Sequence, residues 1–383
     1  MAYIDKVKTK DGIKYRARWR GPDGSQKSRT FIKKTDADGF ARRMDYDLNV
    51  GTYVDPHAGK VLVRVYGEQW RKGQLQHRES TARDVESGLR VHLYPVLGDR
   101  QIASIRASDV QLWVAGLTKK LAPATVTKTY SFLATMLKSA VRDGLIARTP
   151  CIDINLPEIE KKRVAPLTVE QVAALIEAAP THYRALLHFC AGTGARAREA
   201  FGVTVDRFDF LRRQVTFDRQ LATRDGSARW KAPKTASSVR SVPLDDGVLQ
   251  AVADYLAINP ASSDGLIFRT PVAGRGFDLH RAYGGGNKVG WFRKAARTAG
   301  LSDDITLHDL RHFYASLLIR NGASVKTVQA RLGHKSALET LDTYGHMWPD
   351  ADEQTRNILN EALVGLRKGD RKEDSKLRVL SDC

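Results

Sequence analysis

Two turn-rich stretches divide the chain into segments with different hydrophobic patterns, and this division limits the folds open to it. Residues 51–59 combine glycine, proline and polar residues, and residues 150–166 contain three prolines and a run of charges. Stretches of this kind typically connect domains. The length of 383 residues is enough for two or three domains. We predict domains over 1–55, 62–148 and 165–366, followed by a mobile tail over 367–383.

The first predicted domain carries a basic pattern with the period of a β-strand. From Lys14 to Arg20 every second residue is lysine or arginine, so one face of the strand would be basic. Flanking turn signals favour a three-stranded sheet, which a helix would follow from about residue 35 to 49. A basic strand ribbon fits the DNA major groove, although a solvated basic sheet would show the same pattern. The candidate DNA-binding residues are Lys14, Arg16, Arg18, Arg20, Lys27 and Arg29.

The rest of the chain is mainly helical in pattern. Residues 62–148 predict four helices, the last beginning with Pro123 in its first turn and ending at Gly144. Residues 165–366 mix helices with a short strand-rich section, Arg213–Pro243. The predicted fold class is therefore a multidomain α+β protein: a small N-terminal three-stranded sheet with a helix, an all-α four-helix domain, and a mostly helical domain with a small antiparallel sheet.

Charge and composition restrict the partner and the compartment. The net charge is +19, and the first 34 residues hold eleven Lys or Arg against three Asp. A polyanion is the leading partner of such a surface. The sequence has no run of about 18 apolar residues and no apolar N-terminal segment of the secretory type. Its three cysteines lie far apart, which fits a reducing compartment. We expect a cytoplasmic protein without a membrane partner.

Four short segments of the C-terminal half concentrate groups that bind phosphate or transfer protons. On a helix begun by Thr306, His308 and Arg311 would share one face. Ser336 and Glu339 form a capping box, which predicts a short helix that starts beside His334 and carries Tyr344. The four segments are AGTGARAREA at 191–200, KAPKTASSVRSVP at 231–243, TLHDLRH at 306–312 and LGHKSALETLDTYGH at 332–346.

This ordered set resembles the tyrosine recombinases, specifically phage-type integrases. Each segment alone is a weak signal, but the order of all four and the 148 residues between Arg196 and Tyr344 make the resemblance specific. It covers about residues 165–350 closely, and the two preceding domains more loosely as the family's core-binding and arm-type-binding domains. The resemblance implies the tyrosine recombinase catalytic fold for the third domain.

The resemblance also implies a role for each phosphate-binding residue. Two guanidinium groups suit the charge of a phosphate under transfer, and Arg196 and Arg311 would be that pair. His308 would reach the same phosphate or act in proton transfer. His334 would donate a hydrogen bond to another phosphate oxygen. Glu199 corresponds to the family's acidic residue and would orient the groups around it.

The covalent chemistry would fall to two further residues. Tyr344 would be the nucleophile and form a 3′-phosphotyrosine, while Lys234 would protonate the departing 5′ oxygen. Because the covalent bond conserves the energy of the phosphodiester, the resemblance implies neither a cofactor nor a metal. Lys231 competes with Lys234 for the role of acid, and Arg198 competes with Arg196 for the first arginine.

Other interpretations of these residues are open at this stage. His308 and His312 are four apart and could bind a metal, although the pair has no intervening glutamate in the arrangement of zinc proteases. A host-type chromosome-dimer recombinase would share the catalytic residues but lack the N-terminal basic sheet. A type IB topoisomerase uses similar chemistry, and a non-catalytic DNA-binding regulator could retain a relict site.

The function that the resemblance implies is site-specific DNA recombination. The protein would integrate, and also excise, a phage or mobile-element genome in a bacterial cytoplasm. Its partners would be double-stranded DNA at core-type and arm-type attachment sites, three further copies of the chain in a homotetrameric synapse, an excisionase and a host DNA-bending protein.

Overall fold

The structure is a computed structural model, and the chain in it divides into two compact units, Met1–Lys161 and Lys162–Cys383. Lys234 and the predicted mobile tail over 367–383 lie outside the described residues. The described residues are 2–9, 12–21, 24–50, 55, 58–160, 163–224, 227–233, 235–269, 290–348, 352 and 355–363, with the backbone alone for 223, 224 and 227–229. Among the described helices, none is both long enough and apolar enough to span a membrane.

The first unit begins with an antiparallel sheet and a helix packed on one of its faces. Ala17 and Trp19 of the central strand are buried, and the Trp19 ring lies 5.3 Å from that of Phe40 on the helix. The predicted sheet is therefore present, with strand order β1-β2-β3. The elements are β1 (Tyr3–Thr9), β2 (Gly12–Arg20), β3 (Gln26–Phe31) and α1 (Lys34–Val50).

The second part of this unit is helical, as its pattern predicts. Four helical segments enclose one apolar core, in which Leu133 and Met136 of the last helix are buried. Pro123 begins that last helix at its first position, where the missing N–H costs nothing. The elements are α2 (Val63–Lys72), a continuous run of α3 (Glu79–Ser87), a π-helical stretch (Gly88–Leu93) and α4 (Tyr94–Leu97), then α5 (Ala107–Thr118) and α6 (Pro123–Arg142).

The second unit surrounds one helix, α8, with other helices and a small sheet. Helices α10 and α12 pack on α8, and its Phe189 is fully buried in the core. The helices are α7 (Val169–Ala178), α8 (Thr181–Thr193), α9 (Ala197–Ala200), α10 (Asp246–Ile258), α11 (Trp291–Thr298), α12 (Leu307–Arg320), α13 (Val325–Leu332) and α14 (Ala337–Tyr344), with residues 355–363 also helical.

The strand-rich section of this unit forms two small antiparallel sheets. One has the order β4-β5-β8 and the other is the hairpin β6-β7. The strands are β4 (Phe208–Asp209), β5 (Gln214–Phe217), β6 (Gln220–Arg224), β7 (Ser227–Lys231) and β8 (Arg240–Pro243). Strand β8 begins with a buried arginine, Arg240.

The candidate DNA-binding residues occupy two faces of the N-terminal sheet. Residues directly opposite in an antiparallel pair point to the same face. Lys27 lies opposite Trp19, and Arg29 lies opposite Ala17, so both belong to the face that α1 covers. Lys27 forms an ion pair with Asp55. The basic face predicted from the alternation is therefore formed by the β2 residues alone, which are Lys14, Arg16, Arg18 and Arg20.

Candidate active site

Two helix ends supply the backbone atoms around which the candidate site is built. Helices α8 and α13 both end at a glycine in the left-handed conformation, Gly194 with φ +62° and Gly333 with φ +65°. A Cβ at position 194 would come within 2.5 Å of the Tyr314 ring. The last carbonyls of a helix have no partner within it and carry partial negative charge, so these two ends attract cations.

Arg311 of α12 lies between those two helix ends. Its guanidinium donates from Nη1 to the carbonyl of Gly194 at 2.8 Å and from Nη2 to the carbonyl of Leu332 at 2.6 Å. The residue is 2% exposed, and among the described residues no carboxylate forms an ion pair with it. Burial, together with the charges of Arg196 and Arg240, lowers the pKa of Arg311 to about 9. A buried cation of this kind favours the approach of an anion.

Arg196, at the start of α9, contacts the same end of α13 as Arg311 and forms an arginine cluster with it. Its Nη2 donates to the carbonyl of Gly333 at 3.3 Å, and its Nη1 to Oε1 of Glu199 at 3.0 Å. About a third of its side chain is exposed, so the guanidinium keeps an open side. Arg198, the alternative arginine of this segment, is exposed and takes no part in these contacts among the described residues.

Glu199 is buried, and its main partner is a residue that the sequence motifs did not single out. Arg240 donates from Nη2 to Oε2 of Glu199 at 2.8 Å and from Nη1 to Oε1 at 3.2 Å. Its Nε also donates to the carbonyl of Arg331. Burial opposes ionisation of Glu199, but the hydrogen bonds and charge of Arg240, with the charge of Arg196, outweigh it and lower the pKa of Glu199. The carboxylate thus connects two arginines of the cluster.

The two candidate histidines stand next to these arginines. Thr306 caps α12 as predicted, and His308 occupies the first turn of that helix with part of its surface in solvent. Partial desolvation of the ring, then the charges of His312 and Arg311, lower the pKa of His308 to about 4. His334 is buried directly after Gly333.

The orientation of His334 is fixed by a neighbouring hydroxyl. Its Nδ1 lies 2.9 Å from Oγ1 of Thr340, a fully buried residue of α14. Burial and the charges of Arg311 and Arg196 lower the pKa of His334. With Nδ1 engaged by Thr340, the other ring nitrogen, Nε2, is the one left for a ligand.

Tyr344 is the last residue of α14, the short helix that the Ser336 cap begins, and it is 1% exposed. Burial raises the pKa of its phenol to about 12, against the charges of Arg311 and Arg196, which lower it. Its ring lies parallel to that of His334, with 6.3 Å between centroids. Its Oη lies 2.8 Å from Nδ1 of His312.

The structure therefore brings together five of the six candidate catalytic residues, with Glu199 beside them. The charges of Arg196 and Arg311 act on all three of the other groups, which are His308, His334 and Tyr344. The sixth, Lys234, lies outside the described residues, between strands β7 and β8 in the chain. Lys231, its alternative, ends strand β7 and is exposed.

The sequence motifs did not identify Arg240 and His312 as site residues, although both lie in the cluster. A signal for His312 exists, since it lies four residues after His308 and thus one helical turn away on the same side. Arg240 offers only a weak signal, an arginine at the start of a strand, because its partner Glu199 is 41 residues distant in the chain.

Two family models and several known proteins match most of the chain. The phage integrase family matches residues 165–349, and the phage integrase central domain matches residues 62–157. The prophage phiRv2 integrase of Mycobacterium tuberculosis is 26% identical over 361 residues, which cover 91% of this chain and 92% of that protein. Tyrosine recombinase XerD of Corynebacterium glutamicum is 31% identical over 226 residues, 56% of this chain and 67% of XerD.

A solved structure has a fold similar to that of this chain. The Tn1549 transposon integrase in complex with a circular intermediate DNA superposes with a TM-score of 0.67 and 21% identity, over 79% of this chain and 99% of that one. The predicted fold class is thereby confirmed.

Proposed function

Because the chain belongs to the phage integrase family of tyrosine recombinases and is a site-specific integrase of that type, we propose that it cleaves and rejoins DNA through a 3′-phosphotyrosine at Tyr344. The observation that carries this proposal is the buried guanidinium of Arg311, which two helix-end carbonyls hold and no described carboxylate neutralises. A phosphodiester entering beside Tyr344 would supply the missing negative charge. Arg196, with its open side, would bind a second non-bridging oxygen of the same phosphate.

The remaining groups would serve the phosphate and the leaving oxygen. His334 would donate from Nε2 to a phosphate oxygen, since Thr340 holds the opposite nitrogen. His308 would bind the phosphate or move a proton at the open side of the cluster, and its low pKa keeps it neutral until an anion is present. Lys234 would protonate the 5′ oxygen as it departs. Glu199 would hold Arg196 in place.

The domains would divide the work on DNA. We propose that residues 1–55 bind arm-type sites through Lys14, Arg16, Arg18 and Arg20, that residues 62–148 bind the core-type site, and that residues 165–366 catalyse. Strand exchange would require four copies of the chain, as the family's chemistry on two duplexes implies. An excisionase and a host DNA-bending protein would set the direction of recombination.

A suicide substrate tests the chemical proposal. The substrate is a labelled attachment-site duplex, taken from the junction between the mobile element that carries the gene and its host chromosome, with a nick beside the cleavage position. Wild-type protein should give a covalent complex on a denaturing gel, and Tyr344→Phe should give none. Tyr255→Phe is a matched control, since Tyr255 is also buried in this unit but its hydroxyl faces His182. Absence of the wild-type complex would overturn the proposal.

A deletion tests the role of the first domain. Removal of residues 1–60 should abolish recombination on full-length attachment sites while it leaves covalent complex formation on the core site intact. Unchanged recombination by the deleted protein would contradict the arm-site proposal and favour a host-type recombinase that needs the core site alone.

A further inference from the structure

His312 contacts the proposed nucleophile, Tyr344, and has no part in the reaction proposed so far. It lies on α12 directly after Arg311, and its Nδ1 is 2.8 Å from the Oη of Tyr344, with 5.5 Å between the two ring centroids. The distance is that of a good hydrogen bond. Tyr344 is almost completely buried, so the phenol has little water to receive its proton.

The surroundings of His312 favour a neutral ring that accepts a hydrogen bond at Nδ1. Burial, together with the charge of Arg311, lowers its pKa against the opposing charge of Asp309. The ring of His308 packs edge-on against it at 4.8 Å between centroids. In the described part of the chain, the titratable and charged groups that act on this ring are Asp309, Arg311, His308 and Tyr344.

The phenol of Tyr344 needs a proton acceptor because its pKa is raised. Burial raises the pKa of Tyr344 to about 12, so at neutral pH the nucleophilic oxygen carries its proton almost always. The arginines lower that value only in part. A base in hydrogen-bond contact can remove the proton as the bond to phosphorus forms, which is the condition for general base catalysis.

We propose that His312 is the general base of this integrase: its Nδ1 takes the proton of Tyr344 as the phenol oxygen attacks the phosphate. This inference rests on the proposed function of Tyr344. In cleavage, the Oη–phosphorus bond forms, the bond from phosphorus to the 5′ oxygen breaks, and the 5′ oxygen receives a proton from the general acid. In rejoining, the 5′ hydroxyl attacks phosphorus, its proton goes to that acid, and His312 returns the proton to the departing phenolate.

The decisive variant is His312→Asn. The asparagine Oδ1 lies near the former Nδ1 position and can still accept a hydrogen bond from Tyr344, but it cannot take the proton. Single-turnover formation of the covalent complex on the suicide substrate should slow by about 100-fold or more. The rate of the variant should rise steadily with pH up to about 9, because hydroxide replaces the base. The wild-type rate should be flat near neutral pH and fall when His312 is protonated at acid pH.

A modified leaving group separates this role from that of the general acid. A 5′-bridging phosphorothiolate releases a thiolate, which needs no protonation because thiols ionise at a pKa of roughly 8.5. On this substrate a defect of the acid, as in Lys234→Ala, should largely disappear, whereas the defect of His312→Asn should persist. His346→Asn is the matched control: His346 is exposed, contacts the carbonyl of Val164 and should keep the wild-type rate.

The outcomes separate the two proposals. Failure of the wild-type protein to form any covalent complex would overturn the role of Tyr344 and, with it, that of His312. A wild-type complex together with an unchanged rate and pH profile for His312→Asn would overturn the role of His312 alone. A measurement on the unaltered protein guards against a variant that does not fold: histidine ¹⁵N NMR should show an unprotonated, hydrogen-bonded Nδ1 of His312 at pH 7.5, and a protonated Nδ1 would contradict the proposal.

Discussion

The buried ion pair between Glu199 and Arg240 should hold the first arginine of the site in place, and its removal has a calculable cost. Arg240 is 8% exposed and Glu199 5%. The change Arg240→Met removes two hydrogen bonds to the carboxylate and those to the carbonyls of Arg331 and Ser238. Breaking a buried pair by removing one partner costs about 3–5 kcal/mol, because the other charge stays buried. We expect the free energy of unfolding of the second unit to fall by about that amount at pH 7.5.

The cost should depend on pH in a direction that the pKa of Glu199 fixes. In the wild type the pKa of Glu199 is lowered. The ionised carboxylate therefore stabilises the fold at a pH above the ordinary glutamate pKa, and this contribution is lost as the pH falls through the lowered pKa. In Arg240→Met burial outweighs the remaining charge of Arg196, and the pKa of Glu199 should rise. The folded variant then binds a proton more readily than the unfolded chain, so its deficit should be largest at pH 7.5 and smaller at pH 5.

Hydrogen exchange in graded urea, followed by mass spectrometry of peptides from 181–200 and 240–258, measures this locally and avoids the separate unfolding of the first unit. Arg213→Met is the control, since its ion pair with Asp246 is exposed on both sides and should contribute no more than about 1 kcal/mol. A deficit of Arg240→Met as small as that of the control, or one that does not shrink at pH 5, would refute the reasoning.

Three further predictions concern the cation site, a helix end and the N-terminal sheet. Arg311→Lys replaces the planar guanidinium that spans both helix-end carbonyls, so covalent complex formation should slow by about 100-fold or more, and the melting temperature should fall because a buried carbonyl loses its donor; a wild-type rate would contradict this. Gly194→Ala strains a left-handed residue against the Tyr314 ring and should destabilise the fold by about 1–3 kcal/mol in thermal melts, and an unchanged melt would count against it. Arg20→Ala should lower the slope of log binding constant against log salt by about 1 on arm-type DNA, whereas Arg29→Ala, on the opposite face of the sheet, should leave it unchanged; equal effects of the two would contradict the assignment of faces.

Local signals predicted two of the helices of the second unit. The caps of Thr306 and Ser336 and the helices that follow them are present because each depends on residues three positions apart. The sequence patterns did not single out Gly194 and Gly333 as helix ends, although both end helices in the left-handed conformation that glycine favours. The two predicted caps therefore account for the helices that carry Arg311 and Tyr344.

Contacts between distant parts of the chain could not be predicted in this way. The face on which Lys27 and Arg29 lie depends on the register of β3 against β2, and a shift of one residue would exchange the two faces. The turn that sets this register gives no such detail in the sequence. Arg240 meets Glu199 only because β8 pairs with β5 and brings its first residue beside α9.

The two histidines of His-Asp-Leu-Arg-His show why a local pattern leaves the chemistry open. His308 and His312 are four apart on one helix, and from the sequence either a metal pair or a single phosphate ligand is consistent with that spacing. Their difference arises from what packs against the helix. Tyr344 arrives from α14 and contacts His312, while His308 keeps its solvent-facing side for a ligand. One turn of helix therefore presents two chemically identical rings to two different partners in the proposed reaction: His312 to the nucleophilic oxygen and His308 to the phosphate group.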